Sequence, residues 1–198
     1  MNSTDICNLA LSYLGHGRID SLDDSSEEAK ACKIHYDHAR RRLLLAYPCG
    51  FAKRQEKLAL RTDTLLGWAY CYSYPQQCLS VQYVYDGRHA KRKETERQEF
   101  EVMTLANFAK VIGTDVEEAY AEYILDVKEP NAYNEEFIDA LAHLLAGVLA
   151  VPITGSANLE SQNLQLAQQA IASAQYQSAI ERERRTQFPR KYAGARFR

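Results

Sequence analysis

The sequence predicts a mainly helical α+β protein: a bundle of about four helices carrying an inserted antiparallel β-meander. Three observations predict it. Apolar residues recur at three- and four-residue steps near both ends of the chain. Between them the period drops to two, with Leu79, Val81, Tyr83 and Tyr85 alternating with Ser80, Gln82 and Val84. A stretch from Phe137 to Val151 is apolar nearly all round, as the central helix of a bundle should be. The helical bundle is expected from residues 1–65 and 130–185, the β-rich insertion from 66–129, and a basic extended tail over 186–198.

The first helix is expected where Ile6, Leu9, Ala10, Tyr13 and Leu14 follow the polar Ser3 and Asp5, with Gly15 and Gly17 ending it through a left-handed cap. A second helix should begin at Ser25 or Ser26, with Glu27 and Glu28 at its positive end. Its apolar stripe is Ala29, Cys32, Tyr36, Ala39 and Leu43, which leaves Lys30, Lys33, Asp37 and Arg40 to water. Pro48 and Gly50 should stop it.

In the insertion, Asp86-Gly87 is a turn signal, and the loop from Arg88 to Arg97 is highly charged with both signs. Phe100, Val102 and Thr104 alternate, as do Phe108, Lys110 and Ile112 up to Gly113-Thr114-Asp115, and Tyr120–Val127 makes a further strand. Pro130 and Asn134 open the third helix. Phe137, Leu141, Leu144, Leu145 and Val148 form its main face, alanines cover much of the rest, and Pro152 should end it. The last helix is expected from about Leu159 to about Arg185. Leu164, Ala167, Ile171 and Ala174 make a narrow stripe of mostly small residues for close helix contact. Gln162, Gln165, Gln168, Gln169 and Gln175 make much of its outside polar but uncharged.

Bulk properties exclude several classes. The 198 residues fit one domain, or one with a small appendage, and should bury roughly 70% of the unfolded surface. A formal net charge of -2 does not make the whole surface a nucleic-acid binder. From Arg182 to Arg198, however, Glu183 is the single acid in a run rich in Arg, so the tail is expected to have its own partner. Five cysteines, an odd count with no Cys-x-x-Cys, argue against a disulfide framework and for synthesis in a reducing compartment. The polar start Asn2-Ser3-Thr4 carries no signal-peptide pattern. The apolar stretch is shorter than the ~20 residues a bilayer needs and contains Asp139 and His143, so no membrane span is expected.

The residue types that carry chemistry do not converge. Cys32, His35 and His38 are three apart on one helix, and successive steps of three turn the outer two away from each other, so metal binding is not expected. Asp139 and His143, at i and i+4, read as a structural hydrogen bond rather than a general-base pair, since no nucleophile accompanies them. Glu135-Glu136 and Glu117-Glu118 are adjacent carboxylates that point different ways on a helix and make no shared site. Gly15-His16-Gly17 lacks the strand and third glycine of a phosphate loop. No catalytic residue, metal or cofactor is expected. The basic tail is open to three readings: a solvated end, a dock for a partner protein anchored by Tyr192 and Phe197, or a contact with DNA phosphates.

The order of motifs resembles the tail tubular protein A and head-to-tail adaptor family of phages, over nearly the whole length up to about Arg185. Three stretches carry it. The first is Phe51-Ala52-Lys53-Arg54 with Leu58-Ala59. The second is Gly67-Trp68-Ala69-Tyr70, Tyr74-Pro75 and Cys78-Leu79. The third runs from Tyr123, Asp126-Val127 and Pro130 through Phe137, Ala140-Leu141, Leu144-Leu145-Ala146 and Leu149-Ala150 to Pro152-Ile153-Thr154-Gly155-Ser156. The chain departs from the family's usual pattern at Cys49, where tryptophan is common, at Gln77, where aspartate is, and at Glu129-Pro130 in place of Asp-Pro.

The resemblance implies a helical bundle with a small β-region and a virion protein of the neck or tail, made in the host bacterial cytoplasm and without catalytic activity. It implies a ring, dodecameric when assembled, that docks under the portal protein and meets further tail (nozzle) proteins below. DNA passes through its channel without sequence-specific binding. Placed on this chain, the reading assigns portal docking to Arg190, Lys191, Tyr192, Arg196, Phe197 and Arg198, and a tail-partner loop to Arg88, Lys91, Arg92 and Lys93. It assigns subunit contact to Gln162, Gln165 and Gln169, because neutral amides can pair without the desolvation cost of charge. A stopper or tail-completion protein is the nearest alternative. A small helical protein that binds nucleic acid through the basic tail is the alternative of another class.

Overall fold

The computed structural model describes residues 1–46, 49–87 and 97–181, with side chains up to 176. The described chain is an α+β fold of four helices and two antiparallel sheets. The helices are α1 (Ser3–Tyr13), α2 (Glu27–Ala46), α3 (Glu135–Thr154) and α4 (Ala157–Glu181); the strands are β1 (Lys53–Lys57), β2 (Tyr70–Ser73), β3 (Cys78–Asp86), β4 (Arg97–Gln98), β5 (Phe100–Thr104), β6 (Lys110–Thr114) and β7 (Ala119–Leu125).

Each helix is bounded by local chemistry. Asn2, rather than Ser3, caps α1: its Oδ1 accepts from the Asp5 N–H at 2.8 Å while Asp5 Oδ2 accepts from the Asn2 N–H at 2.8 Å. At the other end Gly15 has φ +72, and the His16 N–H reaches back to the Leu11 carbonyl at 3.0 Å, so the chain leaves the helix through a left-handed residue as expected. Ser26 Oγ accepts from the Ala29 N–H and caps α2. Asn134 does the same for α3 through the Phe137 N–H. Pro152 does not end α3. The helix continues to Thr154 and closes at Gly155, φ +69. So near the terminus a proline removes only one ladder bond, the one to the Val148 carbonyl, and the next turn survives.

α3 is the centre of the bundle. Phe137, Leu141, Leu145 and Leu149 are fully buried, and Ala140, Ala142, Ala146 and Ala150 are buried on its other sides. Twenty residues long, it is apolar and long enough to cross a membrane by length and composition, and most of it is buried inside the fold. α1, α2 and α4 pack around it. The α2 stripe of Ala29, Cys32, Tyr36, Ala39 and Leu43 faces it as expected. α4 approaches most closely: a Cβ at Gly147 would lie 2.7 Å from a Leu164 methyl. Burying a Leu or Phe side chain here contributes about 1.5–3 kcal/mol each.

The β-region is antiparallel throughout. Its strands are divided between a sheet of order β1-β7-β3-β4 and a sheet of order β2-β6-β5. Val84, Ala121 and Tyr123 of the first sheet and Tyr72 and Ile112 of the second share a small core between them. β1 lies before residue 66 yet pairs along β7, Lys53 opposite Ile124 and Lys57 opposite Tyr120. Gly113 and Thr114, read as a strand terminator, lie inside β6 and pair on both sides, Gly113 with Cys71 and Glu101. Phe108, read as the start of a strand, is instead in the β5–β6 turn with φ +62.

Candidate functional site

The outer side of α4 is the strongest candidate surface. From Ser161 to Ile180 the sequence contains no charged residue and no histidine. The helix forms because Ala, Leu and Gln are good helix formers, and Ser156 Oγ caps it by accepting from the Leu159 N–H. Its inner side is fixed by Asn163, Ala167 and Ala174, all buried, with Leu164, Ala170 and Ile171 packed at the margin. At 100° per residue the opposite side carries Gln162, Gln165, Gln169 and Tyr176. All four are exposed, Tyr176 at 68%. The three glutamines assigned to subunit contact therefore share one outward stripe.

A polar knot sets the rotation of α4. Asn163 donates to the Leu159 carbonyl at 3.0 Å, and its Oδ1 lies 3.2 Å from His143 Nδ1. The His143 ring stacks on Tyr13 of α1, centroids 4.3 Å apart and planes 12° apart. The pairing of His143 with Asp139 expected from sequence gives way to Asn163: Asp139 is exposed, and a partner twenty residues away across the helix pair meets the imidazole.

The second feature is a buried ion cluster that ties the bundle to the β-region. Arg40, expected in water, is wholly buried. Its Nη1 donates to Asp126 Oδ1 at 2.6 Å and to the Val127 carbonyl at 2.6 Å, and its Nε and Nη2 reach Asp37 at 3.2 and 3.1 Å. Arg41 Nε donates to the other carboxylate oxygen at 3.0 Å, and the Tyr133 hydroxyl donates to the Val127 carbonyl at 2.9 Å. Burial works against ionisation of Asp126, but the hydrogen bonds and charges of the two arginines overcome it and hold the carboxyl below its usual range. Burial likewise opposes the Arg40 charge, and Asp126 keeps it protonated. The cluster joins α2 to the end of β7. No carbon of a substrate could reach Arg40, so its role is structural.

The third feature is apolar exposure at the tips of the β-region. Phe108 is 89% exposed in its left-handed turn and Leu66 is fully exposed. On the face of the smaller sheet, Trp68 lies over Gly113, where a Cβ would come within 2.6 Å of the indole, and donates Nε1–H to Glu101 at 3.1 Å. Sequence reasoning missed both tips and the ion cluster. Phe108-Ala109 resembles strand, and the left-handed turn is legible only in the backbone.

The other assigned residues divide simply. Arg88, Lys91, Arg92 and Lys93 of the tail-partner loop, and Arg190, Lys191, Tyr192, Arg196, Phe197 and Arg198 of the portal-docking tail, lie outside the described residues. Cys32 is buried against Cys7, whose pKa is raised by the hydrogen bond to Cys32 and by burial, while His38 stands exposed. Among the described residues no three His, Cys, Asp or Glu side chains come together to hold a metal ion. Comparison of the chain with models of protein families and with curated proteins found no match.

Proposed function

We propose that this chain is a structural subunit of a phage head-to-tail adaptor ring, which docks under a portal and passes DNA through its channel without catalysing a reaction. The observation that carries the reading is the outer side of α4. A helix facing water normally shows charge there; this one shows glutamine amides and an exposed tyrosine. Such a surface loses little on dehydration and can exchange hydrogen bonds with a neighbouring copy, whereas a charged one would have to be paired. Tyrosine is also among the residues that most often anchor interfaces. The order of sequence motifs, which resembles that of the adaptor family, and an α+β fold with a helical bundle support the reading.

In this proposal the copies meet through Gln162, Gln165 and Gln169, the basic tail seats on the portal, and the charged loop of the β-region faces the tail proteins. The protein then belongs to the virion neck. The test is direct. The purified chain is mixed with its cognate portal and viewed by electron microscopy, where a second ring beneath the portal is expected. A portal that remains bare at high protein concentration overturns the proposal.

A further inference from the structure

Five cysteines are present and four of them are buried. A buried thiol by itself packs as a small apolar group. Two buried thiols in contact are a different object, because together they hold the sulfurs of a disulfide and lack only an oxidant.

Cys7 and Cys32 are such a pair. Cys7 lies on the inner side of α1 with Ile6, Ala10 and Leu11, and Cys32 on the inner stripe of α2 between Ala29 and Tyr36. Both are wholly buried in the core of the bundle. α1 and α2 touch there, the Cys7 S–H donates to the Cys32 sulfur, and Cys7 also lies close to Tyr36, one turn further along α2. Closing two touching thiols to a bond of about 2.05 Å asks α1 to draw in only slightly.

We infer that Cys7 and Cys32 form a covalent staple between α1 and α2 when hydrogen peroxide reaches them. The inference goes beyond the adaptor reading and stands independently of it. The Cys32 thiolate attacks one oxygen of the peroxide and the O–O bond breaks. The departing hydroxide takes up the Cys32 proton as water, and Cys32 is left as a sulfenic acid. The Cys7 sulfur then attacks the sulfenic sulfur. The S–S bond forms, the S–O bond breaks, and the hydroxyl leaves with the Cys7 proton as a second water. Two thiols and one peroxide give one disulfide and two waters: the sulfurs lose two electrons and the peroxide oxygens gain them.

The hydrogen bond sets this order of attack. It lowers the pKa of Cys32 against the effect of burial, and with burial it raises that of Cys7. Cys32 is therefore the thiolate and Cys7 the partner that resolves it. Peroxide is little larger than water, so a local opening of the N-terminal helix admits it to the core. The bond would close a loop of about 25 residues and hold the middle of α1 to α2, where α1 otherwise packs chiefly on α3. The thiol pair belongs to a reducing compartment, and the staple sets once the chain leaves it.

The experiment uses the purified full chain, freed of reductant and treated with a small excess of hydrogen peroxide below its melting temperature. The intact mass should fall by about 2 Da, the two hydrogens lost. A non-reducing peptide map should join the peptide of Cys7 to that of Cys32. The melting temperature should rise by at least about 5 °C and return on addition of dithiothreitol. Cys7→Ala and Cys32→Ala should both fold and should both lose the mass change and the rise. In Cys7→Ala, with no thiol to resolve it, the sulfenic acid at Cys32 should be captured by dimedone.

A map that joins any other two cysteines, or that leaves Cys7 and Cys32 reduced after prolonged treatment, overturns the inference. So does a Cys7–Cys32 bond that leaves the melting temperature where it was, because the link would then staple nothing. Dimedone captured at Cys7 in Cys32→Ala, with none at Cys32 in Cys7→Ala, would overturn the order of attack.

Discussion

The bundle and the β-region are built on opposite terms. In the bundle a twenty-residue helix is enclosed on nearly all sides, its large side chains packed among alanines and cysteines, and a buried ion cluster sits at its border. In the β-region the seven strands of the described residues enclose a narrow core between two small sheets, and large apolar side chains stand exposed at the tips. The first arrangement supplies stability and a rigid frame. The second supplies reach, since its tips are held by turns and edges rather than by burial. The difference teaches where each kind of substitution should be felt: throughout the molecule if it touches the border cluster, locally if it touches the sheets, and only on assembly if it touches the outer side of α4.

The largest effect should come from the border. Arg40→Ala leaves the buried Asp126 to the half-exposed Arg41 and takes one of two donors from the Val127 carbonyl, which keeps the Tyr133 hydroxyl, so it should destabilise the fold by about 3–5 kcal/mol, measured by denaturant unfolding. A loss under about 1 kcal/mol would mean that the cluster does not join the two regions. The same cluster sets a pH dependence. Asp126 has a folded pKa below its unfolded value, so its contribution is fully present above the unfolded value, about 3.9, and disappears as pH falls through the folded one. Asp126→Asn should be well below the parent in stability at pH 7, and the gap should shrink in acid, below about pH 4. A gap that stays constant with pH would remove the ionised carboxylate from the explanation.

A smaller, local effect is expected from Gly113→Val. Its side chain would collide with Trp68 and the Met103 methyl, at 2.6 and 3.0 Å from the new Cβ, for a cost of about 1–3 kcal/mol. Trp68 is the single tryptophan, so its fluorescence reports the displacement directly. Unchanged emission would show that the indole does not rest on the sheet. Replacing Gln165 and Gln169 by Glu should leave the melting temperature within a degree or so of the parent and weaken ring assembly on the portal; a normal ring would remove the α4 surface from the proposal. The smallest effect belongs to Phe108→Gly. The side chain is exposed and its φ of +62 suits glycine, so stability should stay level or rise by up to about 1 kcal/mol. A clear loss would show that Phe108 packs on something within the chain.

The helices were legible because their signals are local. Ser26, Asn134 and Gly15 cap through bonds to neighbours within a few residues, and the stripe of α2 and the all-round apolar surface of α3 follow from a period of 3.6. The glutamine-rich side of α4 was legible for the same reason, and burial of Ala167 and Ala174 places Gln162, Gln165 and Gln169 outward. β1 was not legible. Its residues Lys53-Arg54-Gln55-Glu56-Lys57 show no alternation, because it is an exposed edge strand, where charge protects against unwanted pairing and no face needs an apolar set. Pro152 and Gly113 misled in the opposite sense, as breakers whose context tolerated them.

By itself, the sequence determined the class of fold, the position and polarity of the four helices, and the uncharged outer stripe of α4, all of them consequences of residues spaced within a few turns of one another. The tertiary structure alone decided the fate of Arg40, the partner of His143, the division of the strands into two sheets and the close seat of Trp68 on Gly113. Each of these depends on groups far apart in the chain, 86 residues in the case of Arg40 and Asp126. A charged side chain reads as solvent-facing until a fold carries its counter-ion to it, and no local pattern records that meeting.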